Sequence, residues 1–487
     1  MNIQITRIDG GLKINPAPPY LTKYLKYQHR SMEIVKYKRV PTFSERLLHT
    51  SDDEGGIYTL QGFFEHICKM IHKNSDTYSV DDKRTPLPPI DWAAVKAVGL
   101  RDYQIEPVVD GLNKGFNNSG VIRAAGGFGK TYCQAFTYAA WNSLNTILAI
   151  PLKQVFKQTY DKFVKLFPDK HVGRVGGGYN DISTDITITT FKSLPKCAIE
   201  KCQLMLIDEM QGTTGEVIQD VLTNIKPVRI FGYTATDENL FNGADKVLKG
   251  LFGERLIDVP YDEALEANAV VPGVVYFVET PDCIVTSNTF EGALSQGIKK
   301  CKPRNALIAK ICTLIPKQWQ TLIFVDHIKD HLVELYKLMP MNTNYIHRGT
   351  SKKELGTYAL SVKQQDDIIK SFTNAEFQFL IGTDAFRAGV DIPQLRVVIQ
   401  AASGSSEIEV IQEALRGSRT LSPERQAELG IEEKTHFVLV DFLDNHDERL
   451  ANLANKRMEY YRKQGWQVKI VTKPEDIDWR AYLDKKL

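Results

Sequence analysis

The chain has no apolar run near the roughly 18–20 residues needed to cross a bilayer. Its strongest, such as residues 146–152, are strand-sized and end at proline or charge. The opening MNIQITRIDGG has no apolar core and no small-residue cleavage site, so secretion is not expected. Cysteine is scarce and unpatterned. The seven residues Cys68, Cys133, Cys197, Cys202, Cys283, Cys301 and Cys312 are odd in number, and the nearest pair lacks a partner pair at zinc-finger spacing. Reduced, idle thiols are expected. Internal repeats and low-complexity tracts are missing too. Net charge is nearly absent: 61 Lys and Arg face 59 Asp and Glu, leaving +2. That excludes a uniformly basic coat for nucleic acid but not a local basic patch. A cytoplasmic chain without a membrane anchor is the expectation.

What is present is enough apolar residue, 43% of 487, to bury several cores, or about three domains at roughly 150 residues each. The clearest seam is Arg84-Thr85-Pro86-Leu87-Pro88-Pro89, which cannot continue a helix or a central strand. Beyond it, short apolar runs at 121–122, 146–151, 185–190, 204–207 and 229–232 alternate with longer helix-like stretches. A second series follows at 321–325, 377–381, 397–400 and 437–440. Such alternation predicts parallel strands with crossover helices, in two tandem α/β units. The expected domains are residues 1–88, 89–265, 266–450 and a tail, 451–487, packed on the second unit. Residues 55–60 and the amphipathic stretch 63–71 predict a small α+β core for the first.

The strongest motif is Ala124-Ala125-Gly126-Gly127-Phe128-Gly129-Lys130-Thr131, set between an apolar strand and a helix-like stretch. Gly126, Gly127 and Gly129 let backbone N–H groups turn inward around phosphate oxygens, and the helix presents its positive end. Lys130 would reach the β- and γ-phosphates, and Thr131 would ligate Mg²⁺. Alanine at 124 departs from the strict pattern, which has glycine there. About eighty residues downstream, the run Leu204-Met205-Leu206-Ile207 ends in Asp208-Glu209-Met210-Gln211. Carboxyl ends of parallel strands form the ligand crevice of such sheets. Asp208 there would hold Mg²⁺, and Glu209 would polarise the attacking water. The pairing predicts an ATP- and Mg²⁺-dependent hydrolase.

With these motifs in place, residues 100–445, about 70% of the chain, resemble a superfamily 2 helicase or translocase. Leu100-Arg101-Asp102-Tyr103-Gln104 is similar to the family's adenine-recognition motif, which implies nucleotide contacts for Arg101 and Gln104. The segments around Pro151 and Thr190 resemble nucleic-acid-contacting motifs, and Gly232-Tyr233-Thr234-Ala235-Thr236 the element coupling hydrolysis to strand movement. In the second lobe, Tyr345-Ile346-His347-Arg348-Gly349 and the run 382–393 resemble further motifs. These imply nucleic-acid contacts for His347 and Thr383, and a nucleotide contact for Asp391. Gln412-Glu413-Ala414-Leu415-Arg416-Gly417-Ser418-Arg419 resembles the family's last motif and implies catalytic roles for Gln412, Arg416 and Arg419. Leu415 stands where the family has glycine, with a glycine at 417 instead. The implied fold is two tandem RecA-like parallel-sheet lobes behind a small α+β accessory domain. The implied chemistry is hydrolysis completed by arginines supplied from the second lobe.

Charge is unevenly placed. Residues 1–46 hold nine Lys or Arg against three acids, a local +6, so the other 441 residues carry −4. Tyr20, Tyr24, Tyr27 and Tyr37 are interleaved with these bases, so the module could contact phosphates and stack on bases, or turn its tyrosines into its own core. An added module ahead of a bare motor resembles UvsW-type phage helicases, RecG and RadD-type repair helicases. The resemblance implies a monomeric motor acting on branched or forked DNA in a bacterial or phage-infected cytosol. An RNA helicase, a duplex translocase without strand separation and a nucleotide-switched clamp are the alternatives. The stretch 452–487, with Arg457, Tyr460, Tyr461, Arg462, Lys463 and Trp466, is expected to pack on the second lobe rather than touch nucleic acid.

Overall fold

In the computed structural model the chain forms two compact units, residues 1–125 with 129–260, and residues 261–487 with 126–128. Residues 1–35, 38–151, 153–197, 199–214, 222, 224, 226–235, 243–347, 352–383 and 392–480 are described, the side chains of 30–35, 38, 39, 41, 153, 154, 214, 352 and 354 apart.

The first unit begins with a five-stranded sheet. It is built from β1 (Asn2–Ile8), β2 (Gly11–Asn15), β5 (His49–Ser51), β6 (Ile57–Leu60) and β7 (Thr77–Asp82), in the order β5-β6-β2-β1-β7. Between β2 and β5, β3 (Lys26–Val35) and β4 (Lys38–Leu47) pair as a separate two-stranded hairpin. Alternation along β1 and β2 sends Ile3, Ile5, Leu12 and Ile14 inward. They pack with Phe63, Ile67 and Ile71 around the helix Phe64–Lys73. The Pro-rich seam suggests a separate module, but this one belongs to the same compact unit as the first motor sheet. The reason is close packing. A Cβ on Gly62 would lie 2.3 Å from the Lys249 carbonyl, and one on Gly250 would lie 2.6 Å from the Phe63 ring. Lys246 Nζ donates to the Tyr24 carbonyl at 2.6 Å and the Lys26 carbonyl at 2.9 Å.

The motor sheet of this unit has eight strands: β8 (Gly120–Ala124), β9 (Thr146–Ile150), β10 (Val172–Gly176), β11 (Tyr179–Asp181), β12 (Ile186–Thr190), β13 (Leu204–Asp208), β14 (Arg229–Thr234) and β15 (Arg255–Val259). Their order is β11-β10-β12-β9-β13-β14-β8-β15, parallel except for β11. Every residue of β9, β12, β13 and β14 is buried, as expected of strands covered on both faces.

The second unit carries seven parallel strands: β16 (Gly273–Glu279), β17 (Thr321–Phe324), β18 (Thr343–Ile346), β19 (Phe379–Gly382), β20 (Val397–Gln400), β21 (Phe437–Leu443) and β22 (Gln467–Val471). Their order is β18-β19-β17-β20-β21-β16-β22. The two sheets are the RecA-like lobes that the motifs imply. The chain's last described elements are integral to the second lobe. The helix Glu448–Lys463 runs across position 450, and β22 pairs in parallel with β16 as an edge strand. Cys283 and Cys301 join as a disulfide, unlike the idle thiols expected, because folding brings together residues whose spacing carries no signal.

Candidate active site

The phosphate-binding loop follows β8, whose Val121, Ile122 and Ala124 are buried. Gly127 has φ 103° and Gly129 φ 105°, left-handed values that an L side chain resists. Gly129 is also the N-cap of the helix Lys130–Ala140 and has no capping side chain. The first N–H groups of that helix are thus presented to a ligand. Lys130 and Thr131, half-buried, form its first turn.

Lys130 Nζ donates to Glu209 Oε1. Glu209 leaves the end of β13 with φ 46°, an unusual conformation for a non-glycine residue, of the kind that collects at functional sites. Gln211 Nε2 donates to Glu209 Oε2 at 2.8 Å, and Thr234 Oγ1 donates to Gln211 Oε1 at 3.0 Å. One hydrogen-bonded chain therefore joins the loop lysine to the end of β14. Asp208 is buried and accepts from Gln134 Nε2 at 2.9 Å. Burial, then the charge of Glu209, pushes its carboxyl above the ordinary range, against the opposing pull of Lys130 and Gln134.

Gln104 lies beside this loop. It is buried at the start of the helix Asp102–Asn117, its Oε1 accepts from Arg101 N at 3.2 Å, and a Cβ on Gly129 would meet its Nε2 at 3.0 Å. Arg101 is exposed and donates from Nη1 to the Tyr103 hydroxyl at 2.9 Å. Thr190 ends β12 and bonds Ser193 Oγ at 3.1 Å, while Pro151 follows β9 directly. Thus Gln104, Lys130, Asp208 and Glu209 gather around one loop. Gln134 was not singled out from sequence, although its i, i+4 spacing from Lys130 places both on one helix face.

In the second unit, Thr383 directly follows β19 and its N–H donates to the Ile346 carbonyl at 3.3 Å. His347 follows β18, but its ring is fully buried. Nε2 meets the Tyr358 carbonyl at 2.8 Å, and the ring stacks on Tyr345 at 5.8 Å. Burial lowers its pKa, so the ring is a neutral core group here rather than a surface contact. Gln412 lies on the helix Glu407–Ala414, and Arg416 and Arg419 follow it, all half-buried. Gly417 is needed for packing: a Cβ there would lie 2.5 Å from the Phe437 ring. Thr236, Arg348, Gly349, Arg387 and Asp391 lie outside the described residues.

No cluster of three or more His, Cys, Asp or Glu able to hold a metal occurs among the described residues. The available donors, one hydroxyl at Thr131 and one carboxylate at Asp208, suit Mg²⁺, which keeps waters and takes substrate phosphates rather than filling a protein cage. Among the described residues no helix is long and apolar enough to cross a membrane.

A glycine-rich phosphate loop, an acidic strand end beside it and two tandem parallel-sheet lobes define the class: a two-lobe nucleotide-dependent motor. Comparison with known proteins makes it particular. Residues 97–239 match the family model of the type III restriction enzyme res subunit, and residues 305–420 match that of the helicase conserved C-terminal domain. The chain belongs to the superfamily 2 helicases. It is 26% identical over 358 residues to the protein named ATP-dependent helicase IRC3 of Saccharomyces cerevisiae, covering 66% of this chain and 49% of that protein. It thus spans about half the length of that relative. Helicase 22 of Sulfolobus islandicus filamentous virus is 21% identical over 462 residues, covering 88% of this chain and 78% of that one.

Among solved structures, S. cerevisiae Dbp5 bound to RNA and ADP BeF3 matches with a TM-score of 0.52 at 12% identity, covering 77% of this chain and 95% of that one. The helicase MrfA bound to DNA matches at 0.53 and 15%, covering 81% and 56%. Both show the fold alone. T4 UvsW covers 97% of this chain and 99% of its own, at 16% identity and a TM-score of 0.41, which carries no weight.

Proposed function

We propose that the chain is an ATP-dependent DNA helicase or translocase that unwinds or remodels branched DNA, such as forks and four-way junctions, in replication, recombination or repair. The observation that carries the motor reading is the bonded chain from Lys130 through Glu209 and Gln211 to Thr234, which ties the phosphate loop to a neighbouring strand end. A change at the γ-phosphate alters what Lys130 binds, and the network passes that change to the end of β14. Lys130 binds the phosphates, Glu209 orients the attacking water, and Gln412, Arg416 and Arg419 complete the catalytic set by supplying positive charge and order to the transferred phosphoryl group. Gly126, Gly127, Gly129 and Gln104 hold the nucleotide, together with Arg101 and Asp391. Thr131 and Asp208 would hold Mg²⁺, which neutralises phosphate charge when bound. Pro151, Thr190 and Thr383 border the strand path, whereas His347 is buried against Tyr345 and Tyr358.

DNA is favoured by the resemblance of the motifs to branch-acting helicases and by the basic N-terminal region. A second reading, duplex translocation without strand separation, draws support from the restriction-subunit model over residues 97–239. ATP hydrolysis and strand displacement, measured on forks, four-way junctions, blunt duplex and matched RNA, separate the possibilities. Stimulation and displacement greatest on branched DNA are expected. Hydrolysis on blunt duplex without displacement would favour the translocase, and stimulation by RNA alone would overturn the DNA reading.

A further inference from the structure

Inside the first unit, a cleft of about 590 Å³ opens where the N-terminal module meets the motor sheet. Its wall comprises the β1–β2 turn, the foot of the β3–β4 hairpin, strands β5 and β6, and Lys226 from the segment before β14. The junction is held by contact too close for any side chain at Gly10. That residue has φ 75°, and a Cβ on it would lie 2.8 Å from Lys226 Cα. The volume falls in the range of roughly 300–1,000 Å³ typical of small-molecule sites.

The lining is chemically specific. Tyr27 and Arg46 are directly opposed in the hairpin register, which places ring and guanidinium on the same hairpin face. Tyr27 also packs against the motor, where a Cβ on Gly243 would collide with its ring at 2.2 Å. Tyr58 is 40% exposed, with Lys13 Nζ 5.4 Å from its ring centroid. Arg46 and Lys226 are exposed cations on the same wall. The wall's one carboxylate, Asp9, is turned to other work: its oxygens accept from Thr85 N at 3.0 Å and Thr85 Oγ1 at 2.6 Å. His49 also lines the cleft, and its buried Nδ1 has no hydrogen-bond partner. Burial and nearby Lys26 lower its pKa, so the ring is neutral and can donate or accept. A flat ring, two cations and an unsatisfied polar atom around a nucleotide-sized space match one chemistry, an aromatic base linked to phosphate.

We propose that this cleft binds a nucleotide unit of single-stranded nucleic acid, with the base against Tyr58 and the phosphates between Arg46 and Lys226. The proposal rests on the helicase reading, which supplies a single strand near the motor.

The test uses the full-length protein and a short fluorescent oligo(dT) carrying a photoreactive 5-iodouracil, with oligo(U) and a free mononucleotide as parallel arms. Crosslinks mapped by mass spectrometry are expected on β6 or the hairpin foot. Tyr58→Ala should weaken oligonucleotide binding by about tenfold with the salt slope unchanged, and Tyr58→Phe should bind like the parent. The Arg46→Gln, Lys226→Gln pair should lower affinity and reduce the slope of log affinity against log salt by about 1–2. Crosslinks confined to residues 97–480 other than the segment at Lys226, with every variant binding like the parent, would overturn the proposal. So would a cleft that crosslinks the mononucleotide but no oligonucleotide. Either result leaves the motor intact if oligonucleotides still stimulate ATP hydrolysis, whereas absent stimulation in the parent protein condemns the helicase reading itself.

Discussion

Each lobe carries a pair of carboxylates on or just after a buried strand, and the two pairs are treated in opposite ways. In the first, β13 delivers Asp208 and Glu209, and Lys130 pairs with Glu209; the Lys130 side chain is 19% exposed and that of Glu209 26%. In the second, β21 and the turn after it deliver Asp441 and Asp444 into complete cages. Asp441 is fully buried and accepts from Phe442 N, from Arg457 Nε and Nη2, and from the Tyr461 hydroxyl, at 2.7–2.9 Å. Asp444 meets Arg304 at 2.8 Å, and Arg304 also donates to the Ala401 carbonyl and to Ser403 Oγ. One acidic pair is left partly open to solvent; the other carboxylates are sealed by arginine. Sealed ion pairs shape a core, whereas a partly exposed one beside a phosphate loop is accessible to a ligand.

Removing the open site's cation should have the largest effect. Lys130→Ala is expected to lower ATP hydrolysis by about 10²–10³-fold or more, since it removes a donor aimed at transferring phosphate, while nucleic-acid binding persists. Steady-state hydrolysis beside oligonucleotide binding checks this, and substantial turnover in the variant would sink the catalytic assignment. Glu209→Gln should still bind ATP and turn it over very slowly.

The closed site should instead register as stability. Asp441→Ala strands Arg457 as a buried, uncompensated charge and should destabilise the second lobe by about 3–5 kcal/mol. Denaturant unfolding followed by a probe in that lobe measures it, and a loss below about 1 kcal/mol would show the cage to be loose. Tyr461→Phe, which deletes one bond of the same cage, should cost about 1 kcal/mol.

The smallest effect sharpens the contrast through pH. Asp208 has its pKa raised in the folded chain, so it contributes stability below its unfolded value, and that contribution is lost as pH rises through the folded value. At neutral pH the ligand-free protein therefore carries an ionised group it would rather protonate. Asp208→Asn should raise the Tm there by about 2–4 °C, the shift that roughly 1 kcal/mol produces in a domain of this size. The gain should shrink toward pH 4, and hydrolysis should fall at every pH. A lower Tm at neutral pH would mean that Asp208 stabilises the empty site.

The parallel strands were legible because residues such as Leu204, Met205, Leu206 and Ile207 are apolar in an unbroken run, as burial on both faces requires. The phosphate loop was legible because its glycines and Lys130 are consecutive. Edge elements were harder: β11 and β22 are short or polar, since an edge strand need not be apolar. The tail's Arg457, Tyr461 and Trp466, which resemble a basic aromatic surface in sequence, are all core residues. Tyr20 and Tyr24, among the basic N-terminal residues, are likewise committed inward, to Asp76 and to Phe63 and His66.

The amino-acid sequence by itself determined the motor: local order of glycine, lysine and paired acids, and the apolar runs that precede them, are contiguous signals. Tertiary structure alone decided which charges stay open. Whether Arg457 binds a strand or seals Asp441, whether His347 reaches solvent, and whether Lys226 meets the β1–β2 turn depend on contacts between residues far apart in the chain. Composition records that a cation is present; only packing sets its neighbours, and through them its exposure and its chemistry.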